Sequence, residues 1–279
     1  DRQILWVTYY RNLYNATHPS EINSPVSLSR NLLAWNQPGT NGLILPVNPS
    51  ASFLSILFAN ELWFTLGDMT MAEHCAMLSM IFSPRNSGSR MIKRLAEINL
   101  VNGDDEAALK YLRILDKTLL HKSWAEKRIP GQQTPRVKEW LEKKRRDIPT
   151  QDQLRSGNDA VTSLQNLVAS NAGNLRAYEY LLCYHLLSKD LRSFVEDYVP
   201  GKVSSPIFAE ALLIHLARQG NIRAEELIKY QIPVEIAKEF ADYTRLYEAK
   251  DTSLKEKYGK TYWFYYHFAT TEPGKESKP

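Results

Sequence analysis

Leu62-Trp-Phe-Thr-Leu-Gly67-Asp68-Met-Thr-Met-Ala72 is answered 36 residues later by Ile98-Asn-Leu-Val-Asn-Gly103-Asp104-Asp-Glu-Ala-Ala108. In each stretch an apolar run meets Gly-Asp, and an alanine follows five residues after the glycine. Glycine tolerates the left-handed backbone that ends a helix, and the aspartate beside it accepts the free amides of the next helix. A small side chain on the second helix lets the pair approach closely. The pattern predicts helices over 51–66 and 68–82, then over 88–102 and 104–120, and its return predicts a helical repeat.

Working outward, helical periodicity dominates, and no run alternates apolar and polar residues long enough to argue for a sheet. Residues 4–14 and 24–35 read as two further amphipathic helices. Between them and the hairpins, 36–50 is irregular, punctuated by Pro38-Gly39, Asn41-Gly42, Pro46 and Pro49. His121–Ile148 reads as a charged insert broken at Pro130–Pro135 and resumed as a short helix over 136–147. Helices are then expected over 159–170, 175–187, 205–219, 221–231 and 233–249, with turns at Lys189-Asp190 and Gly220-Asn221. Leu182 and Leu213 occupy matching points of two such hairpins. The expected organisation is hairpins with an irregular loop over 1–120, a charged insert or linker over 121–150, and hairpins with an aromatic closing segment over 151–279.

Composition narrows the function classes. Hydrophobic residues at 43% and charged residues at 24% are ordinary for a globular chain, and the surplus lies in Tyr 15, Phe 9 and Trp 6. The net charge of +4 is concentrated: between His121 and Asp147 nine Lys/Arg face four acids. No global basic field remains to attract nucleic acid. Cys75 and Cys183 lie in apolar helical runs and read as buried thiols, without metal-ligand spacing. The phosphate-loop, nucleophile-elbow, zinc-protease and dinucleotide fingerprints are all missing. The six histidines are scattered, and His185 and His215 read as core or inter-helix residues. The carboxylates Glu235 and Glu239 share a helical face but read as solvated surface. No catalytic residue, cofactor or metal is expected, and the chain is not expected to be an enzyme.

The offsets of Ala59, Trp63, Ala72 and Pro84 about Gly67, and of Leu95-Ala96, Asp104 and Ala108 about Gly103, resemble those of tetratricopeptide repeats. The resemblance implies an all-α fold, a degenerate tetratricopeptide-like superhelix of stacked antiparallel hairpins. It weakens at Lys189-Asp190, where the glycine is lost, and at Gly220-Asn221, where Ala224 comes one residue early. Gly42-Leu-Ile-Leu-Pro46, Lys93-Arg-Leu-Ala-Glu-Ile-Asn99, Ala108-Leu-Lys-Tyr-Leu112 and Thr261-Tyr-Trp-Phe-Tyr-Tyr-His-Phe268 together resemble the C-terminal region of an uncharacterised family of multi-spanning bacterial membrane proteins of Bacteroides type. That likeness implies a domain carried by a membrane-embedded region upstream of Asp1, with the periplasmic side favoured, and brings no catalytic residues. The start at Asp1-Arg-Gln-Ile-Leu-Trp shows no signal-peptide pattern and fits that expectation.

Two surfaces are candidates for binding. Seven consecutive rings over 262–268 cannot share one side of a helix, because successive residues turn by ~100°. Trp263, Tyr266 and His267 fall on one face, which is either packed or offered to a ligand. The run Lys143, Lys144, Arg145 and Arg146 could hold phosphates, or form a solvated face. The expected function is a non-catalytic scaffold that binds a protein or peptide. A carbohydrate-binding domain using exposed rings is the alternative, and an enzyme with a site built partly by the 36–50 loop is a third reading.

Overall fold

A computed structural model describes residue 60 and residues 63–82, 89–150 and 160–268. The expected helices over 4–14 and 24–35, the 36–50 loop and most of the 51–66 helix lie outside them. Every regular element among the described residues is a helix. After the helical turn 63–66 come α1 (Met69–Phe82), α2 (Ser89–Asn102), α3 (Asp105–Asp116), α4 (Lys122–Glu126), α5 (Pro135–Arg145), α6 (Ala160–Ser170) and α7 (Leu175–Leu187). They are followed by α8 (Leu191–Asp197), α9 (Pro206–Arg218), α10 (Ala224–Lys229), α11 (Val234–Glu248), α12 (Leu254–Tyr258) and α13 (Tyr262–Phe268). The chain divides into two compact units, with the boundary inside α7 between Tyr178 and Glu179.

In the unit ending at Tyr178, α2 packs on α1, α3 and α5. Its C-terminal half is buried on all sides at Leu95, Ala96, Ile98, Asn99, Leu100 and Val101. The expected small positions are buried contacts: Ala72 and Ala108 are both fully covered. Helix α3 has its buried Ala108, Leu112 and Leu115 four and three residues apart, which is one helical face. It ends earlier than the expected 104–120 span. Thr118 turns back on Leu115, its hydroxyl donating to that carbonyl at 2.7 Å, and Leu119 and Leu120 are left exposed.

In the unit beginning at Glu179, α9 is the central rod and packs on α8, α11 and α13. Ile207, Phe208, Ala209, Ala211, Leu212, Leu213, Ile214 and Leu216 bury every side of it. Leu182 and Leu213, the matched hairpin positions, are both fully buried. The matching of Ala224 to the packed alanines fails, however. Ala224 is exposed, and α10 buries no residue. At the corresponding distance after Lys189 stands Phe194, fully buried against Tyr198 and Phe208 at 5.5 and 5.9 Å between ring centroids. Close alanine-mediated packing belongs to the first unit, and ring packing replaces it in the second.

One corner recurs six times among the described residues. A residue with positive φ ends a helix, and the next residue's amide donates to a carbonyl five residues back, the bond that closes a Schellman turn. The pairs are Asp68 to Trp63, Asp104 to Asn99, Asp190 to His185, Asn221 to Leu216, Ile232 to Leu227 and Asp251 to Leu246, at 2.8–3.0 Å. Gly67, Gly103 and Gly220 supply the left-handed backbone at three corners, and Lys189, Gln231 and Lys250 at the others. Where aspartate follows the glycine or Lys189, its carboxylate caps the next helix. Asp68 accepts from Met71 at 2.9 Å, Asp104 from Ala107 at 2.9 Å and Asp190 from Ser193 at 3.0 Å.

The Gly67 corner is also a close approach. A β-carbon there would stand 2.2 Å from the Asp147 carbonyl oxygen, whereas one at Gly103 would meet nothing within 4 Å. Both glycines have left-handed backbones, at φ +90° and +82°. Buried Asn174 ties the same place together. Its amide donates to the Leu66 carbonyl at 2.7 Å and the Asp147 carbonyl at 2.9 Å, while its Oδ1 accepts from Ala177 at the start of α7 at 3.0 Å.

Two predictions follow from this corner. Gly103→Ala pays only for a strained backbone, about 1–2 kcal/mol. Gly67→Ala must also displace the Asp147 backbone and is expected to lose about 3 kcal/mol or more in urea unfolding; equal losses for the two would contradict the close approach. Asn174→Asp keeps a good helix cap but turns a carboxylate onto two carbonyl oxygens. It is expected to lose about 3 kcal/mol or more, where capping preference alone predicts almost no change.

Candidate functional site

The basic run 143–146 sits at the end of α5, and its members divide. Lys144 donates to the Phe64 carbonyl at 3.2 Å and lies 4.6 Å from the centre of the Phe64 ring. Arg145 donates from Nε to the Val101 carbonyl at 3.0 Å and from Nη2 to the Leu100 carbonyl at 2.8 Å. These acceptors belong to the last turns before Gly67 and Gly103, where carbonyls have no partner inside their own helix. The two cations therefore cap the C-termini of the hairpins' first helices, where positive charge is also favoured by the helix dipole. Lys143, Arg145 and Arg146 are exposed and Lys144 is half-buried, so Arg145 reaches its carbonyls from the surface.

The aromatic segment behaves similarly. Trp263 is fully buried, packed on Phe240 at 5.2 Å and Tyr243 at 5.5 Å, and its indole donates to the Glu210 carbonyl at 2.9 Å. Its face of α13 is turned towards α11, so Trp263 presents nothing to a surface ligand. Tyr266 is half-buried and its hydroxyl accepts from Arg218 at 2.7 Å. His267 reaches solvent at its edge, but it stacks on Tyr247 at 4.5 Å and lies 2.8 Å from the Tyr243 hydroxyl. Burial against these rings lowers its pKa from the ordinary histidine value. On the adjoining face, the Tyr262 and Tyr265 hydroxyls donate to the Leu186 and Leu187 carbonyls, both at 2.8 Å. Those are the last residues of α7, so α13 caps a helix end with phenols as α5 does with cations.

The other chemically capable side chains are also engaged in the fold. His185 is buried and pairs with Asp197 at 2.9 Å. His215 meets Gln219 at 3.0 Å. Cys75 and Cys183 are buried free thiols, and burial pushes Cys75 up to about 11 and Cys183 well above its usual value. Among the described residues no three His, Cys, Asp or Glu side chains are grouped as a metal site. No described helix is long and apolar enough to cross a membrane.

Sequence reasoning missed a cleft of about 130 Å³ in the second unit. Tyr198, Tyr230, Pro233 and Ile236 line it together with the buried Ser205 and the exposed Gln231. Tyr198 is fixed by packing on Phe194 and Phe208 at 5.5 and 6.2 Å. Gln231, left-handed at φ +55°, lays its amide over Gly201, 3.3 Å from where a β-carbon would stand. The available signals were Ser205-Pro206, which read only as a helix start, and Gly201, which carries no pattern by itself. Exposed Val199, Ile228 and Val234 lie on the same elements.

The fold defines an all-helical protein of stacked helical pairs. The chain belongs to a family of unknown function (DUF6057), whose model matches residues 27–269. No curated protein and no solved structure matches it.

The different placements of the basic residues give a direct test. Arg145→Ala is expected to destabilise the chain by about 1–3 kcal/mol through two lost charge-assisted bonds. Lys143→Ala and Arg146→Ala should stay within about 0.5 kcal/mol. Thermal unfolding of the three variants checks this, and an unchanged midpoint for Arg145→Ala would remove its capping role.

Proposed function

We propose that this chain is a non-catalytic scaffold that binds a protein or peptide, built as a degenerate tetratricopeptide-like stack and carried at a membrane by its parent protein. The observation that supports binding is the Tyr198–Tyr230 cleft. At about 130 Å³ it is of the order of the ~150 Å³ cavity that holds a benzene ring, and below the ~300–1,000 Å³ of sites for drug-sized ligands. It suits one apolar side chain of an extended partner. The prearranged tyrosines supply contact area at little entropic cost, while Gln231 offers a polar contact to the adjoining backbone. Val199, Ile228 and Val234 would extend the apolar contact beyond the cleft. A sugar-stacking surface would draw on the rings of α13, where Trp263 is buried and Tyr266 half-buried and Phe268, at the end, is exposed. Membrane attachment is supported by the sequence resemblance alone. An upstream reading frame without transmembrane helices would count against it.

Selection of a displayed random-peptide library on the purified chain tests the binding role. Enriched peptides should share an apolar anchor and bind with micromolar Kd. Ile236→Glu, at a half-buried cleft position, should weaken them at least tenfold without changing the circular-dichroism spectrum. No enrichment over a blank surface, or equal binding to Ile236→Glu, would overturn the proposal.

A further inference from the structure

Trp124, on the short α4, is contacted by two cations from different parts of the first unit. Lys93 Nζ of α2 lies 4.6 Å from the ring centre, and the Arg128 guanidinium carbon lies 4.0 Å from it. Sharing one ring holds the two charges within about 9 Å of each other, comparable to the ~8 Å screening length at physiological salt. Arg90, Arg94 and Arg136 add positive potential around them, and Glu97 is the acid that acts on both Lys93 and Arg128. Glu97 is already engaged by Arg94 at 3.2 Å.

The guanidinium shows where an anion would sit. Arg128 donates from Nη1 to the Trp124 carbonyl at 3.3 Å, while its Nε is buried without a hydrogen-bond partner. Nε and the second terminal nitrogen form the edge that grips two oxygens of an oxyanion in parallel. Among the described residues Lys93 makes no direct ion pair, Glu97 acting on it only at longer range, although it reaches the same ring. A buried donor without an acceptor costs about 1–3 kcal/mol, and like charges brought together add to that cost. Such an arrangement is what an anion site looks like before its ligand arrives.

We propose that Lys93 and Arg128, gathered on Trp124, form a phosphate-binding site that takes a phosphoryl group, free or on a lipid headgroup. Two fixed cations match a dianion, and the pairing of an ammonium point charge with a guanidinium fork suits phosphate oxygens. Trp124 holds both cations in place: its partly buried ring packs on the core group Ala96, Leu112, Leu115 and Ala125. The site lies on α2 and α4 and is separate from the 143–146 run, whose central cations serve the helix ends. It does not depend on the peptide-binding proposal, which concerns the other unit.

The test titrates the full chain at low ionic strength with inorganic pyrophosphate and, separately, with phosphatidylcholine vesicles with and without phosphatidic acid. Saturable binding to pyrophosphate assigns a soluble phosphate ligand, and binding only to the acidic vesicles assigns a headgroup. Lys93→Gln should weaken the observed binding at least tenfold while its thermal midpoint without ligand stays equal to or above that of the unmodified chain. Arg128→Lys, which keeps the charge but loses the fork, should also weaken binding at least tenfold. Lys143→Gln should bind as the unmodified chain does. Failure of both probes to bind saturably, or retention of affinity in Lys93→Gln, would overturn the proposal, as would loss of affinity in Lys143→Gln equal to that in Lys93→Gln.

Discussion

A helix that stops inside a protein exposes carbonyl oxygens with no partner of their own, and these oxygens control the layout of this chain. Each hairpin needs a sharp corner; the one at Gly67 is buried among other segments, whereas those at Gly103, Gly220, Gln231 and Lys250 face solvent. The corner's own bond, from the residue after the left-handed position, satisfies one carbonyl. The rest must be met from elsewhere in the sequence. Lys144 and Asn174 reach the carbonyls before Gly67, Arg145 those before Gly103, and Tyr262 and Tyr265 those at the end of α7. Leaving buried polar groups unmet would cost more than most single packing contacts contribute. The capping residues therefore tie distant segments to the hairpins alongside the apolar core.

The Gly67 corner shows how far one position can be constrained. Its backbone is left-handed, Asp68 caps α1, Asn174 bonds Leu66, and the Asp147 carbonyl occupies the space of a side chain. Glycine is required twice there, once for the turn and once for the approach. Gly103 repeats the turn without the approach. In sequence the two stretches look equivalent, and the difference between them comes entirely from residues 80 or more positions later.

That contrast explains which parts of the molecule were legible. Gly-Asp, Gly-Asn and the Pro-initiated helices mark turns through local backbone chemistry, and the limits of α1, α2, α6, α7, α9 and α11 fall close to those marks, whereas α3 stops at Asp116 and α10 covers only Ala224–Lys229. Lys189-Asp190 was readable without glycine because aspartate still caps the next helix. Gln231 and Lys250 adopt the same backbone with no glycine; the positions of Pro233 and the apolar spacing located the helix ends, but not the corner type. The failures concern residues whose role is set by remote partners. The 143–146 run looked like one charged face, yet Lys144 and the exposed Arg145 hold carbonyls of other helices, and no such bond is made by Lys143 or Arg146 among the described residues. The Tyr198–Tyr230 cleft joins two stretches, 198–209 and 230–236, neither of which carries a signature of its own. Lys93, Trp124 and Arg128 are each ordinary residues on helical sequence, and only their convergence distinguishes them.

The same reasoning separates structural from functional chemistry. An aromatic surplus in a helical chain can signal a binding surface, but tyrosine also combines a ring for the core with a hydroxyl for a distant carbonyl. In α13 both properties are used at once: Trp263 packs on Phe240 and Tyr243 while Tyr262 and Tyr265 close the end of α7. Once the residues that serve helix ends are set aside, what remains is small and specific. Among the described residues, Arg128 Nε is buried with no acceptor, Lys93 beside it makes no direct ion pair, and two tyrosines line a space that no side chain of their own unit fills. None of these is required by a turn, a cap or a packed helix face. A chain that satisfies its carbonyls so thoroughly at the corners, yet leaves these groups unmet, has its unexplained chemistry there and not in the conspicuous runs of charge and rings.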